Sequence, residues 1–212
     1  MTEALNWSWG AWLIGLGAFH GINPGMGWLF AVALGLQERR RTAVWGALLP
    51  LAFGHALAVS AAVGLAVLAG AVVPMHTLQW TVAATLLLFG AWRIVRHRHP
   101  RWASMRVGWG GLTLWSFLMA SAHGAGLMVV PVFLGMSGSG VHAMHHMAGA
   151  ALPGAAFLAT GWHTLGYLAV TAIVAVLVFE KLGLGLLRKA WFNLDYLWAA
   201  ALFSTGLLTA VV

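Results

Sequence analysis

Residues 20–27 read His20-Gly21-Ile22-Asn23-Pro24-Gly25-Met26-Gly27, inside an apolar stretch, 8–36, that contains no Lys, Arg, Asp or Glu. Pro24 lacks a backbone N–H and its ring clashes with the carbonyl of His20, so a helix running through this segment is interrupted. Gly21, Gly25 and Gly27 loosen the backbone further. A helix broken at membrane depth is tolerated only where the freed backbone groups meet protein or a water-filled cavity. The same residues also fit a proline kink with glycines for close packing, because Gly17, Gly21 and Gly25 form a small-residue ladder, as do Ser116, Ala120 and Gly124.

The surrounding chain places this stretch in lipid. Of 212 residues, 61% are hydrophobic and only 7% charged, with mean hydropathy +0.88. A soluble domain carries roughly 25% charged residues. Thirteen Trp suit rings at headgroup level. The N-terminal MTEALNWSWG lacks a basic region and an A-x-A-like site, so no cleaved signal peptide is expected. With no cysteine, thiolate ligands and disulfides are excluded.

Six apolar stretches, near 8–36, 43–70, 78–96, 109–136, 151–179 and 191–212, are each long enough to cross once. All eleven Lys and Arg fall in or beside three connections: Arg39, Arg40 and Arg41; Arg93, Arg96, Arg98, Arg101 and Arg106; and Lys181, Arg188 and Lys189. Alternating spans put these on one side, which the positive-inside rule makes cytoplasmic, with both termini outside. The net charge of +7 is therefore a topology signal and a contact for anionic lipid. No nucleic-acid partner is expected.

The two halves match. Residues 12–21, WLIGLGAFHG, align with 115–124, WSFLMASAHG, both with Trp eight residues before a His-Gly pair. Gly54-His55-Ala56-Leu57 aligns with Trp162-His163-Thr164-Leu165, and 78–90 with 194–206. The fold expected is all-α, a single membrane domain with repeat 1 over about 8–100 and repeat 2 over about 109–212. Because each unit has three spans, the second copy enters from the opposite face, as in many secondary transporters. Span 4 is expected to break near Gly124, although its proline, Pro131, comes four residues later than the counterpart of Pro24.

Inverted copies are related by an axis in the membrane plane, so equivalent mid-span residues converge. That brings His20, His55, His123 and His163 towards one midplane site. Intramembrane ionisable residues usually mark an ion path, and neutral imidazole takes Ni, Co, Zn, Cu or Fe. Histidines bonded to Ser, Thr or backbone are the structural alternative. No Asp or Glu lies mid-span, which disfavours Ca²⁺ and Mg²⁺. Asn23 and carbonyls near Gly21 and Gly25 could add oxygen ligands. His142, Met144, His145, His146 and Met147, in the outside loop after span 4, could recruit metal, or form an amphipathic interfacial turn. Ser121 lies near His123 but no carboxylate is at hand to orient a base, so an enzyme is less expected than a transporter.

Two inverted three-span repeats, each opening on a helix broken at Gly/Pro with His20-Gly-x-Asn23-Pro24 as the nearest motif, resemble the LysE-type transporter superfamily. That group includes nickel/cobalt exporters, manganese exporters, amino-acid exporters and CcdA-type thiol-electron carriers. The resemblance implies a six-span bundle, in a bacterial inner membrane, that passes a small cargo. Two departures are visible: no Asp accompanies an intramembrane His, and His20 and His123 stand where break-site cysteines would be expected. A transition-metal cation is the leading cargo. The alternatives are a redox protein holding haem b or a fixed metal through the same histidines, and a proton-coupled carrier of a small organic solute. Lipid and the cargo are the expected partners, and a homodimer is allowed.

Overall fold

The structure is a computed structural model that describes residues 2–70, 72–95, 108–136, 151–182 and 194–211. Among them are eight α-helices and no strand. They are α1 (Thr2–Ile22), α2 (Trp28–Glu38), α3 (Arg41–Gly70), α4 (Met75–Val95), α5 (Trp109–Ala122), α6 (Ala125–Met136), α7 (Ala151–Leu177) and α8 (Leu194–Val211). A 3₁₀ turn, Pro24–Met26, separates α1 from α2, and a π turn, Val178–Leu182, prolongs α7.

The exterior is apolar and the polar groups are inside. Leu88 is 72% exposed and Phe157 79%, whereas His20, His55 and His163 are each 0% exposed. Such an inversion is consistent with a membrane protein, since in lipid apolar surface costs nothing and polar groups must find protein. Two helices, Arg41–Gly70 and Pro153–Lys181, are long and apolar enough to cross a membrane, and α5 with Ala125–Leu134, bent by 62°, would make a third. Among the described residues, length and composition therefore support two or three crossings, and the six expected are not confirmed. The shortfall has a local origin in α1 and α4, which interleave Trp, Thr and His with their aliphatic residues, and in α2, which has only 11 residues.

The helices pair across the halves. α1 packs along α7, α5 along α3, and α4 along α8, while α3 and α7 meet in the middle. Small residues permit the close crossings. A Cβ on Gly17 would overlap the His163 carbonyl, one on Gly166 would overlap the Ile14 carbonyl, and one on Gly54 would overlap the Thr113 carbonyl.

Both expected breaks are present. The first is the Asn23–Gly27 turn. The second lies at His123–Gly124, where Gly124 has φ +72°, and not at Pro131, which sits within α6. A left-handed residue turns the chain without needing proline. At the first break Gly27 has φ +132°, and a Cβ there would stand 2.7 Å from Leu51 Cδ2.

Gly27→Ala should therefore destabilise the protein by more than about 1 kcal/mol, since both backbone and Leu51 must shift. Gly15→Ala, on an open helical surface with nothing within 4 Å, should be neutral or stabilising by up to about 1 kcal/mol. Thermal unfolding of the two variants in detergent checks the order; equal melting temperatures would contradict it.

Candidate functional site

The site begins with the break itself. Asn23 Oδ1 accepts the Gly25 N–H at 2.9 Å, which caps the turn. The His20 carbonyl, which Pro24 cannot bond, accepts the Asn23 N–H at 3.2 Å, and three further carbonyls around the break are taken by aromatic donors. Trp28 Nε1 donates to the Ile22 carbonyl at 2.9 Å, Trp115 Nε1 to that of Gly25 at 3.3 Å, and the Tyr167 hydroxyl to that of Met26 at 2.6 Å. Asn23 Oδ1 and the Gly25 carbonyl, expected as ligands, are thus engaged in holding the turn. Gly21 lies against α7, where a Cβ would come 2.6 Å from the Tyr167 carbonyl.

Three of the four histidines expected to converge meet beside this turn, each from a different helix. The His20 ring centroid is 5.8 Å from that of His55 and 5.0 Å from that of His163, and His55 and His163 stack at 5.3 Å with planes 13° apart. His55 also stacks on Tyr167, with centroids 3.9 Å apart and planes at 6°. His123 lies against the turn: the place a Cβ on Gly25 would take is 4.0 Å from His123 Cε1 and 3.3 Å from the Met119 methyl.

Hydrogen bonding treats the histidines in pairs. His20 Nδ1 contacts the Leu16 carbonyl at 2.7 Å, and His123 Nδ1 contacts the Met119 carbonyl at 2.8 Å. A carbonyl only accepts, so Nδ1 carries the proton in both and Nε2 carries the lone pair. Neither ring nitrogen of His55 or of His163 makes a hydrogen bond; the Leu13 carbonyl lies near His163 without meeting hydrogen-bond geometry. A buried polar group without a partner costs about 1–3 kcal/mol. Two whole imidazoles left so are a standing cost that water, an ion or a substrate would relieve.

Among the described residues no set of three His, Asp or Glu is arranged to hold a metal ion as the rings now stand. The outer cluster of His142, Met144, His145, His146 and Met147 lies outside the described residues.

Tyr167 was not among the residues the sequence singled out. A usable signal existed: Thr160, His163, Thr164, Tyr167 and Thr171 fall at helical spacing on otherwise aliphatic α7. With 3.6 residues per turn they share an arc of about 100°. The upper part of this stripe, Thr160 and Thr164, borders a cavity of about 480 Å³ between α3 and α7, across from Ser60. Comparison with family models, with curated proteins and with solved structures finds no match to this chain.

Because the Tyr167 phenol is the donor to the Met26 carbonyl, Tyr167→Phe should keep the stack on His55 but lose about 1–3 kcal/mol of stability. Tyr167→Leu, which also loses the stack, should lose more. Denaturant titration in detergent orders the two variants, and a Tyr167→Phe protein as stable as wild type would rule out the bond as a brace of the turn.

Proposed function

We propose that the protein is a membrane transporter for a transition-metal cation, built as two inverted three-span repeats, with His20, His55 and His163 as the transit site. The observation that carries this is the meeting of three buried imidazoles from three helices at a helix break, two of them without hydrogen-bond partners.

The repeat is supported by the pairing of helices. Exchanging the halves turns the α1–α7 contact into the α5–α3 contact and maps the α4–α8 contact onto itself. It is supported also by the two breaks, each with a His whose Nδ1 contacts the carbonyl four residues back. Orientation follows the basic residues. Arg41, at the start of α3, pairs with Glu180, beyond the end of α7, at 3.0 Å, which brings the first and third basic connections to one end. In the proposed topology that end is cytoplasmic.

Ring spacing suits the cargo. Imidazole nitrogens about 2.0–2.1 Å from a tetrahedral ion place ring centroids about 5 Å apart, close to the separations here. The ring directions do not suit it, since His55 is stacked against both Tyr167 and His163. A cation would bind as these rings turn, and would be released as they return. With no carboxylate to neutralise it, Ni, Co, Zn, Cu or Fe would be held only in transit. Rings packed on one another and on Tyr167 leave little room for the macrocycle of haem b. The hydroxyl-bordered cavity favours a second reading, a carrier of a small organic solute in which the histidines take up and release protons.

In proteoliposomes, wild type should carry at least one of Co²⁺, Ni²⁺ and Zn²⁺ in response to a gradient, read by an internal metal indicator. His55→Ala and His163→Ala should lower that flux at least tenfold, while His76→Ala, an exposed partner of Trp80, should leave it unchanged. Flux at the level of empty liposomes for all of these ions, or full flux in both histidine variants, would sink the metal proposal.

A further inference from the structure

We infer that the ion this site takes is monovalent and soft, Cu⁺ in its chemistry, in preference to the divalent ions of the same series. The inference rests on the reading of His20, His55 and His163 as a transit site.

Charge decides first. The whole chain has four acidic residues, Glu3, Glu38, Glu180 and Asp195. Glu38 and Glu180 pair with Arg40 and Arg41 at one end of the bundle. Glu3 is the second residue of α1, and about 25 Å of helix axis separates it from His20. Asp195 is the second residue of α8, whose main contacts are with α4 and α6 and not with the helices that bear these rings. The segments outside the described residues contain no acidic residue. An ion among the rings therefore meets neutral donors only. The Born cost of burying it rises as the square of its charge, so a divalent ion costs about four times as much as a monovalent one of equal radius. Its attraction to neutral ligand dipoles rises only in proportion to the charge. A monovalent ion is favoured.

Coordination points the same way. Asn23 Oδ1 accepts the Gly25 N–H, the Gly25 carbonyl accepts Trp115, and the Tyr167 phenol donates to the Met26 carbonyl. Three imidazoles are the donors left, and Zn²⁺ in its tetrahedral preference would lack part of its shell. Cu⁺ accepts linear or trigonal coordination, and imidazole suits copper. Na⁺ and K⁺ share the charge but need rings of oxygen, and the oxygens beside the histidines are engaged.

Soft donors lie close by. Met26, Met119 and Met128 belong to one buried cluster with Tyr167, the residue stacked on His55. The Met119 methyl and His123 Cε1 both border the turn at Gly25. Thioethers select Cu⁺ over divalent ions. Methionine is also a common core filler; the charge preference holds without it.

The test is direct binding. Purified protein without a histidine tag, anaerobic and with ascorbate, competes with bicinchoninate for Cu⁺ and with a chromophoric chelator for Zn²⁺. Cu⁺ should bind at least a hundredfold more tightly than Zn²⁺. His55→Ala and His163→Ala should each remove one bound Cu⁺ per chain, and replacing His142, His145 and His146 by Ala should not remove that one. X-ray absorption at the copper edge should show imidazole nitrogen neighbours in wild type, a readout that no misfolded variant can obscure. Zn²⁺ bound as tightly as Cu⁺, or a full Cu⁺ complement in both His55→Ala and His163→Ala, would overturn the assignment. Flux tests the transport reading separately. Cu⁺ bound here but moved by no gradient removes transport and keeps the ion preference, whereas Co²⁺, Ni²⁺ or Zn²⁺ carried with no Cu⁺ bound does the reverse.

Discussion

A helix interruption buried inside a protein must have its freed carbonyls satisfied there, and this constraint organises the molecule around the Asn23–Gly27 turn. The donors come from three places: Trp28 at the start of α2, Trp115 on α5 and Tyr167 on α7. Each fixes the turn against a different element. Tyr167 does most to build the site, because a phenol reaching the Met26 carbonyl lays its ring flat on His55. The bond that satisfies the break also orients one of the histidines beside it. Ser116, whose hydroxyl donates to the Leu51 carbonyl at 2.6 Å, ties α5 to α3 in the same layer.

Close helix approach is the second condition. The imidazoles lie within 6 Å of one another because α1 and α7 cross at Gly17 and Gly166, and α3 and α5 at Gly54. In lipid no hydrophobic force drives helices together, so small residues, which allow backbone contact, stand in for it. A larger side chain at any of these crossings would separate the helices that bear the rings. Packing and site are thus set by the same glycines.

Much of this was legible in the sequence, for identifiable reasons. Pro24 and its glycines announced the first break because both act through the local backbone. The second break was legible as a His-Gly pair matching His20-Gly21, but its cause was not: Pro131 drew attention, whereas the turn is made by the left-handed Gly124, a conformation no residue type declares alone. Matching the halves pointed His20, His55, His123 and His163 at one place; the rings of His20, His55 and His163 do meet, while His123 lies against the turn at Gly25. The aromatic donors were opaque, since Trp and Tyr in an apolar chain read equally as membrane-interface residues. Membrane character was plain from composition; the number of crossings was not, because Trp, Thr and His dilute the hydropathy of α1 and α4.

The lack of an acidic residue near the histidines bears on what such a site can do. A carboxylate beside an imidazole orients it and offsets a bound cation's charge, which favours tenure over passage. Here His20 is oriented instead by a backbone carbonyl, and His55 and His163 by packing alone. Imidazole-only ligation leaves the ion's full charge in a low-dielectric surround, so occupancy is costly unless water follows the ion in. In the proposed transporter the buried apolar cluster of Phe30, Val44, Leu48 and Val178 would have to open for passage, and α2 and α6, the elements that pack differently in the two halves, are the ones whose exchange of position would open it.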